Sequence, residues 1–155
     1  MTTPSREQLL TALEQERAAL LDLLPRFSDE RWREATRADG WSVHDVAMHI
    51  ADATYGLALM ALGELKPSLP LDDSGWIAVG DLNEQRRQRA AGFSREKVMA
   101  RVSGGFDHAR RAIEAADLDA PGPYGPVHTQ RIWLSRIIDH AREHRAELEA
   151  LLAGR

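Results

Sequence analysis

Asp139-His140-Ala141-Arg142-Glu143-His144 lies within a long amphipathic run, Ile132 to Leu152, and its reading decides the fold. Two histidines four residues apart on an α-helix share one face, one turn apart. Both rings can therefore reach a single metal ion, as in the two-histidine helix of zinc proteases. On the helical wheel Trp133, Ile137, His140, His144, Leu148 and Leu151 form one stripe, so the pair interrupts a face that otherwise packs inward. Inward imidazoles need partners for their ring nitrogens. A metal satisfies one nitrogen of each ring; a bond between the rings, waters or backbone groups are the alternatives. Asp139 and Glu143 point away from the stripe and read as solvated.

Working outward, the chain reads as helix after helix. The first is expected from about Pro4 to Leu24, capped by Thr3 or by Ser5 with Gln8, with Leu9, Leu10, Leu13, Leu20, Leu21 and Leu24 at helical spacing. Ser28 caps a short turn that carries Trp32. A second long helix opens at Ser42 with Asp45 in capping-box position, and its apolar face is Val43, Val46, Ala47, Ile50, Ala53 and Leu57. Glu64 to Val79 reads as a long loop containing Trp76-Ile77, either a pocket rim or a surface connection. Asp81 to Ala91 is a very polar helix. Ser94 caps the next one, with Val98, Val102, Phe106, Ala109 and Ile113 inward; Gly104-Gly105 within it marks a kink or a close helix approach. Ala120 to Pro126 reads as a rigid loop, and no strand pattern is evident. These elements predict an all-α four-helix bundle with short extra helical turns in the connections, one domain over residues 1–155.

His49 lies at the edge of the inward face of the second long helix. It is seven residues into that helix, roughly 10 Å along the axis at about 1.5 Å per residue, a level that His140 and His144 can share. Three neutral imidazoles with open positions make a familiar first shell for a catalytic divalent ion. Other candidates read more blandly. His44 and His108 are expected at the surface, and His128 at a loop end or a pocket mouth. Asp52, one turn beyond His49, reads as a solvated helix residue, the alternative being an acceptor for the second N–H of a ligand imidazole. Arg86, Arg87 and Arg89 read as a solvated helix face, and Asn83 as facing the site or capping its helix. Trp41 is expected to staple the helix entrance, and Trp76 and Trp133 to sit in the core or along a pocket. Ser42 and Ser94 lack a nucleophile-elbow setting and read as caps.

Gly40-Trp41-Ser42-Val43-His44-Asp45-Val46-Ala47-Met48-His49-Ile50-Ala51, then Asn83, then Phe93-Ser94-Arg95-Glu96-Lys97-Val98, then His140 and His144 near the end, resembles the DinB/YfiT-like superfamily. The likeness spans nearly the whole chain. It implies a three-histidine metal site carried here by His49, His140 and His144, holding zinc, nickel or another divalent ion. It also implies a homodimer, and a metal-dependent enzyme: a transferase using a low-molecular-weight thiol, or a hydrolase of a small reactive molecule. The alternative is a non-catalytic metal- or small-ligand-binding protein.

Composition narrows the partners. The 155 residues contain no cysteine, which removes disulfides, zinc–thiolate sites and thiol nucleophiles. Any thiol chemistry must use an external thiol. The net charge of -4 argues against nucleic acid or an anionic membrane as the main partner. The N-terminal segment Met1 to Arg6 has no apolar signal region, and no apolar run is long enough to span a bilayer. A cytoplasmic protein with a small-molecule substrate or ligand is expected.

Overall fold

The computed structural model describes residues 3–154; Met1 and Thr2, where the N-terminal segment begins, and Arg155 lie outside them. α1 (Arg6–Leu23) begins at Ser5, whose hydroxyl accepts from the Gln8 N–H while the Gln8 side chain accepts from the Ser5 N–H. That reciprocal box starts the helix later than Pro4, and a 3₁₀ turn at Leu24–Arg26, containing Pro25, closes it. α2 (Asp29–Arg33) is one short piece capped by Ser28. α3 (Val43–Ala61) opens on a second reciprocal box, Ser42 with Asp45. After the long loop come α4 (Leu82–Ala90) and α5 (Arg95–Ala115), the latter capped by Ser94. β1 (Pro121–Gly122) and β2 (Gly125–Thr129) then pair antiparallel, and Thr129 caps α6 (Gln130–Ala153).

The all-α bundle is therefore as expected: α1, α3, α5 and α6 form it, and α2 and α4 are the short helices of the connections. α3 packs against α5 and α6, and α1 closes the other side against the same two. Leu9, Leu13 and Leu20 of α1 meet Val46, Ile50, Val102, Phe106, Ile113, Leu134 and Ile137 in one continuous apolar core. Glu16 is buried on the same face of α1, only 4% exposed. It accepts two hydrogen bonds from the Arg145 guanidinium of α6, at 2.5 and 2.9 Å. A forked pair satisfies both carboxylate oxygens and ties the first helix to the last.

The hairpin corrects the expectation of a structureless rigid loop. Pro121 and Pro126 limit helix formation, and Gly122 lets two backbones meet: a Cβ there would lie 2.9 Å from the His128 carbonyl oxygen. The hairpin pins the long loop from outside. The Tyr124 hydroxyl donates to the Leu69 carbonyl at 2.6 Å, and His128 Nε2 donates to the Gly75 carbonyl at 2.8 Å.

Gly104-Gly105 marks a close approach. A Cβ on Gly105 would lie 3.1 Å from the Ala51 carbonyl oxygen of α3, whereas one on Gly104 meets nothing within 4 Å. The two positions should respond with opposite signs. Gly105→Leu forces α3 and α5 apart and is expected to cost about 1–3 kcal/mol or more. Gly104→Ala should stabilise by up to about 1 kcal/mol through helix propensity. Urea midpoints of the two variants check this; equal responses would refute the close-approach account.

Candidate metal centre and its cavity

α3 and α6 lie side by side, and this brings the three histidines together. His49 of α3 and His140 of α6 approach with Nε2 atoms 3.0 Å apart. The His144 ring centroid is 4.9 Å from that of His49 and 4.6 Å from that of His140. One nitrogen from each ring fits within a set whose members all lie within 4.8 Å of one another. All three rings are half-buried. Trp41 sets its ring edge-on to His49 at 5.6 Å, and Arg37 lies over the outer Trp41 ring. The tryptophan at the helix entrance thus covers one side of His49.

Burial and neighbouring charges favour the neutral forms of His49 and His140. Burial, reinforced by the neighbouring His144 and by Arg37 and Arg86, lowers the His49 pKa to about 4. Burial and the two other histidines lower that of His140 to about 2. Neutral imidazoles have free lone pairs, the state a metal ligand requires. Hydrogen bonding within the cluster is incomplete. Nδ1 of His140 and Nδ1 of His144 are buried without a hydrogen-bond partner. Glu147 Oε1 lies 3.2 Å from His144 Nδ1, within ion-pairing distance but outside hydrogen-bonding geometry. The three rings form a group that could hold one metal ion.

A cavity of about 290 Å³ opens beside the cluster, with His49 and His140 in its wall. The residues that follow His49 at helical spacing, Asp52, Ala53, Gly56, Leu57 and Met60, form one side of it. Trp76 and Ile77 of the long loop form another, which makes that loop a pocket wall. Trp76 is held from behind by His128, stacked at 4.2 Å, and lies 5.6 Å from Trp133. His128 thus supports the wall without lining it. Trp133 is fully buried and donates to the Leu57 carbonyl at 2.9 Å.

A DinB superfamily profile matches residues 12–148, from α1 through all three histidines. The chain belongs to the DinB superfamily. No curated protein and no solved structure matches it. Within this DinB-superfamily chain several expectations need correction. His44 is buried, 1% exposed, because α2 and the end of α4 cover the outer side of α3. Trp32 Nε1–H donates to its Nδ1 at 3.1 Å, so Nε2 carries the hydrogen that bonds to the Ala90 carbonyl at 2.9 Å. His108 is half-buried, edge-on to Tyr55, and accepts from Arg111. Asp52 is not solvated; it lines the cavity, and burial raises its pKa. Arg86 likewise lines the cavity, and Asn83 beside it faces the site. Asp139 and Glu143 are exposed as expected, and Ser42 and Ser94 are caps. Arg136 was not singled out, although it stands one turn before His140 on α6 and lines the cavity with it.

The lowered histidine pKa values set the acid response. In the unfolded chain these groups titrate near 6.5, in the folded chain near 4 and 2. Between those values the unfolded state binds more protons, so stability is full above about 6.5 and falls as pH drops toward 4. One proton bound only by the unfolded chain costs about 1.4 kcal/mol per pH unit. Urea midpoints of chelator-treated protein should fall between pH 7.5 and 5, and fall less in His140→Gln. Identical pH profiles for the two proteins would contradict the assignment.

Proposed function

We propose that His49, His140 and His144 hold one divalent ion, and that the protein is a metal-dependent enzyme acting on a small molecule bound in the adjoining cavity. The observation that carries this reading is the convergence of three imidazole ligand atoms within 4.8 Å of one another, with His49 and His140 in a cavity wall. An all-imidazole donor set suits zinc or nickel, and three protein ligands leave further positions for exchangeable groups. The DinB superfamily is metal-associated, which supports the same reading. The ion would supply Lewis acidity, making a water or an external thiol a stronger nucleophile near neutral pH. The chain's own contribution is placement. Asp52 sets a carboxyl group, its pKa raised by burial, at the cavity wall, and Trp76, Leu57 and Met60 exclude bulk water from the space beside the histidines.

The family resemblance implies two reaction classes, transfer of a small electrophile to a low-molecular-weight thiol and hydrolysis of a reactive small molecule; with no cysteine in the chain, the thiol of the first must be external. Wild-type protein loaded with zinc or nickel should turn over members of an electrophile panel, either with an added thiol or with water alone. His140→Ala should not. Tight retention of small molecules with no turnover across the panel would favour a non-catalytic binding protein. We also infer a homodimer, from the family resemblance alone; sedimentation velocity reads it directly.

A further inference from the structure

The arginines of α4 differ in what they touch. Arg87 donates to both oxygens of Glu84 and lies 3.7 Å from Asp45. Arg89 is exposed. Arg86 is half-buried, lines the cavity beside His49 and His140, and among the described residues makes no hydrogen bond and no ion pair. Asn83, one turn earlier, faces the same space. The other cations of the cavity are placed differently. Arg136 is bound to Glu143 at 3.1 Å and lies over the Trp76 ring, and Lys66 stands at the exposed rim. Asp52 is the one carboxylate in the lining, set against three cationic side chains.

Arg86 acts on the Asp52 carboxylate through space but makes no hydrogen bond to it, so its half-buried guanidinium has donors left for the contents of the cavity. Its planar fork matches a carboxylate better than any neutral group. Between these polar groups Leu57, Met60, Leu69 and Ile77 supply apolar wall.

We propose that Arg86 is the anion anchor of this cavity and that the molecule bound there is a small amphiphilic carboxylate, its carboxylate on the Arg86 guanidinium and its apolar body on Leu57, Met60 and Leu69. This rests on the histidine cluster being the reacting centre and adds the chemical class of what reacts. A neutral molecule offers the Arg86 guanidinium no charge to bind, and a cation is repelled by it. Arg86 is therefore a specificity-determining residue whose effect falls on binding.

Hexanoate and hexanamide match in length and differ in charge. Both are titrated by calorimetry into chelator-treated protein, where no metal can ligate the carboxylate. Hexanoate should bind about tenfold tighter than hexanamide, the scale of one charge-assisted hydrogen-bonded pair. Arg86→Gln should erase the difference, Arg86→Lys should keep part of it, and Arg89→Gln should keep all of it. The melting temperature and metal content of reloaded Arg86→Gln should match wild type. Equal binding of the two probes by wild type overturns the inference, as does a preference that survives both Arg86→Gln and Arg86→Met. Metal content separates the two readings. Protein that holds metal but shows no preference fails this inference alone. Protein that holds no metal yet shows an Arg86-dependent preference fails the metal reading alone.

Discussion

His140→Ala is expected to lose the divalent ion proposed for the three-histidine site. Elemental analysis should find about one ion per chain in wild type and almost none in the variant, a loss of affinity well beyond the 10- to 100-fold typical of changes to outer-shell partners. The reason is geometric. His140 Nε2 stands 3.0 Å from His49 Nε2, and its ring packs against both other histidines. Removing it leaves His49 and His144 on different helices with no shared third donor. His49→Ala should behave alike, whereas Asp139→Asn, at an exposed position on the same helix, should keep the metal. The fold should survive, because the core around Leu134, Ile137 and Ile138 does not use the histidines. A ligand bound only to the native state raises stability by mass action. Chelator should therefore lower the melting temperature of wild type and leave that of His140→Ala unmoved. Stoichiometric metal in both histidine variants would falsify the site.

Trp32→Ala should be among the most destabilising single changes in the chain, by about 3–5 kcal/mol. The side chain is 2% exposed and joins the short helix α2 to the bundle. It makes three kinds of contact. The indole fills core volume, its Nε1–H satisfies His44 Nδ1 at 3.1 Å, and the Arg95 guanidinium lies 4.5 Å from a ring centroid. Truncation opens a cavity and strands a buried imidazole nitrogen together. Trp32→Phe separates the two effects. It keeps most of the apolar volume but leaves His44 Nδ1 without a donor, at about 1–3 kcal/mol. Urea denaturation with a constant m-value measures both. A Trp32→Ala midpoint within experimental error of wild type would show that α2 is peripheral to the fold.

The sequence was most legible where one face carries one periodicity. The stripes of α1, α3, α5 and α6 are local patterns, and the Ser42–Asp45 and Ser5–Gln8 boxes are local hydrogen bonds. The inward pair His140 and His144 was visible for the same reason, and His49 followed as a polar residue at the edge of an apolar face. Errors gathered where a residue's surroundings come from elsewhere in the chain. His44 lies opposite the main apolar face of α3, and nothing local reveals that Trp32 and Ala90 cover it. Asp52 and Arg86 read as solvated because each sits on a polar helical face, yet the long loop and α6 wall off the space in front of them. The hairpin at 121–129 is too short and too rich in proline for a period-two signal.

The amino-acid sequence by itself determined the helices, their inward faces, the absence of any thiol ligand and the identity of the three histidines, because helical spacing and residue chemistry are properties of neighbours along the chain. Only the tertiary structure decided that the three rings meet at one point, that a cavity opens beside them, and that Arg86 faces it without a hydrogen bond or ion pair among the described residues. Those facts depend on how α3, α4, α6 and the Trp76 loop pack, and packing is settled by contacts between residues far apart in sequence.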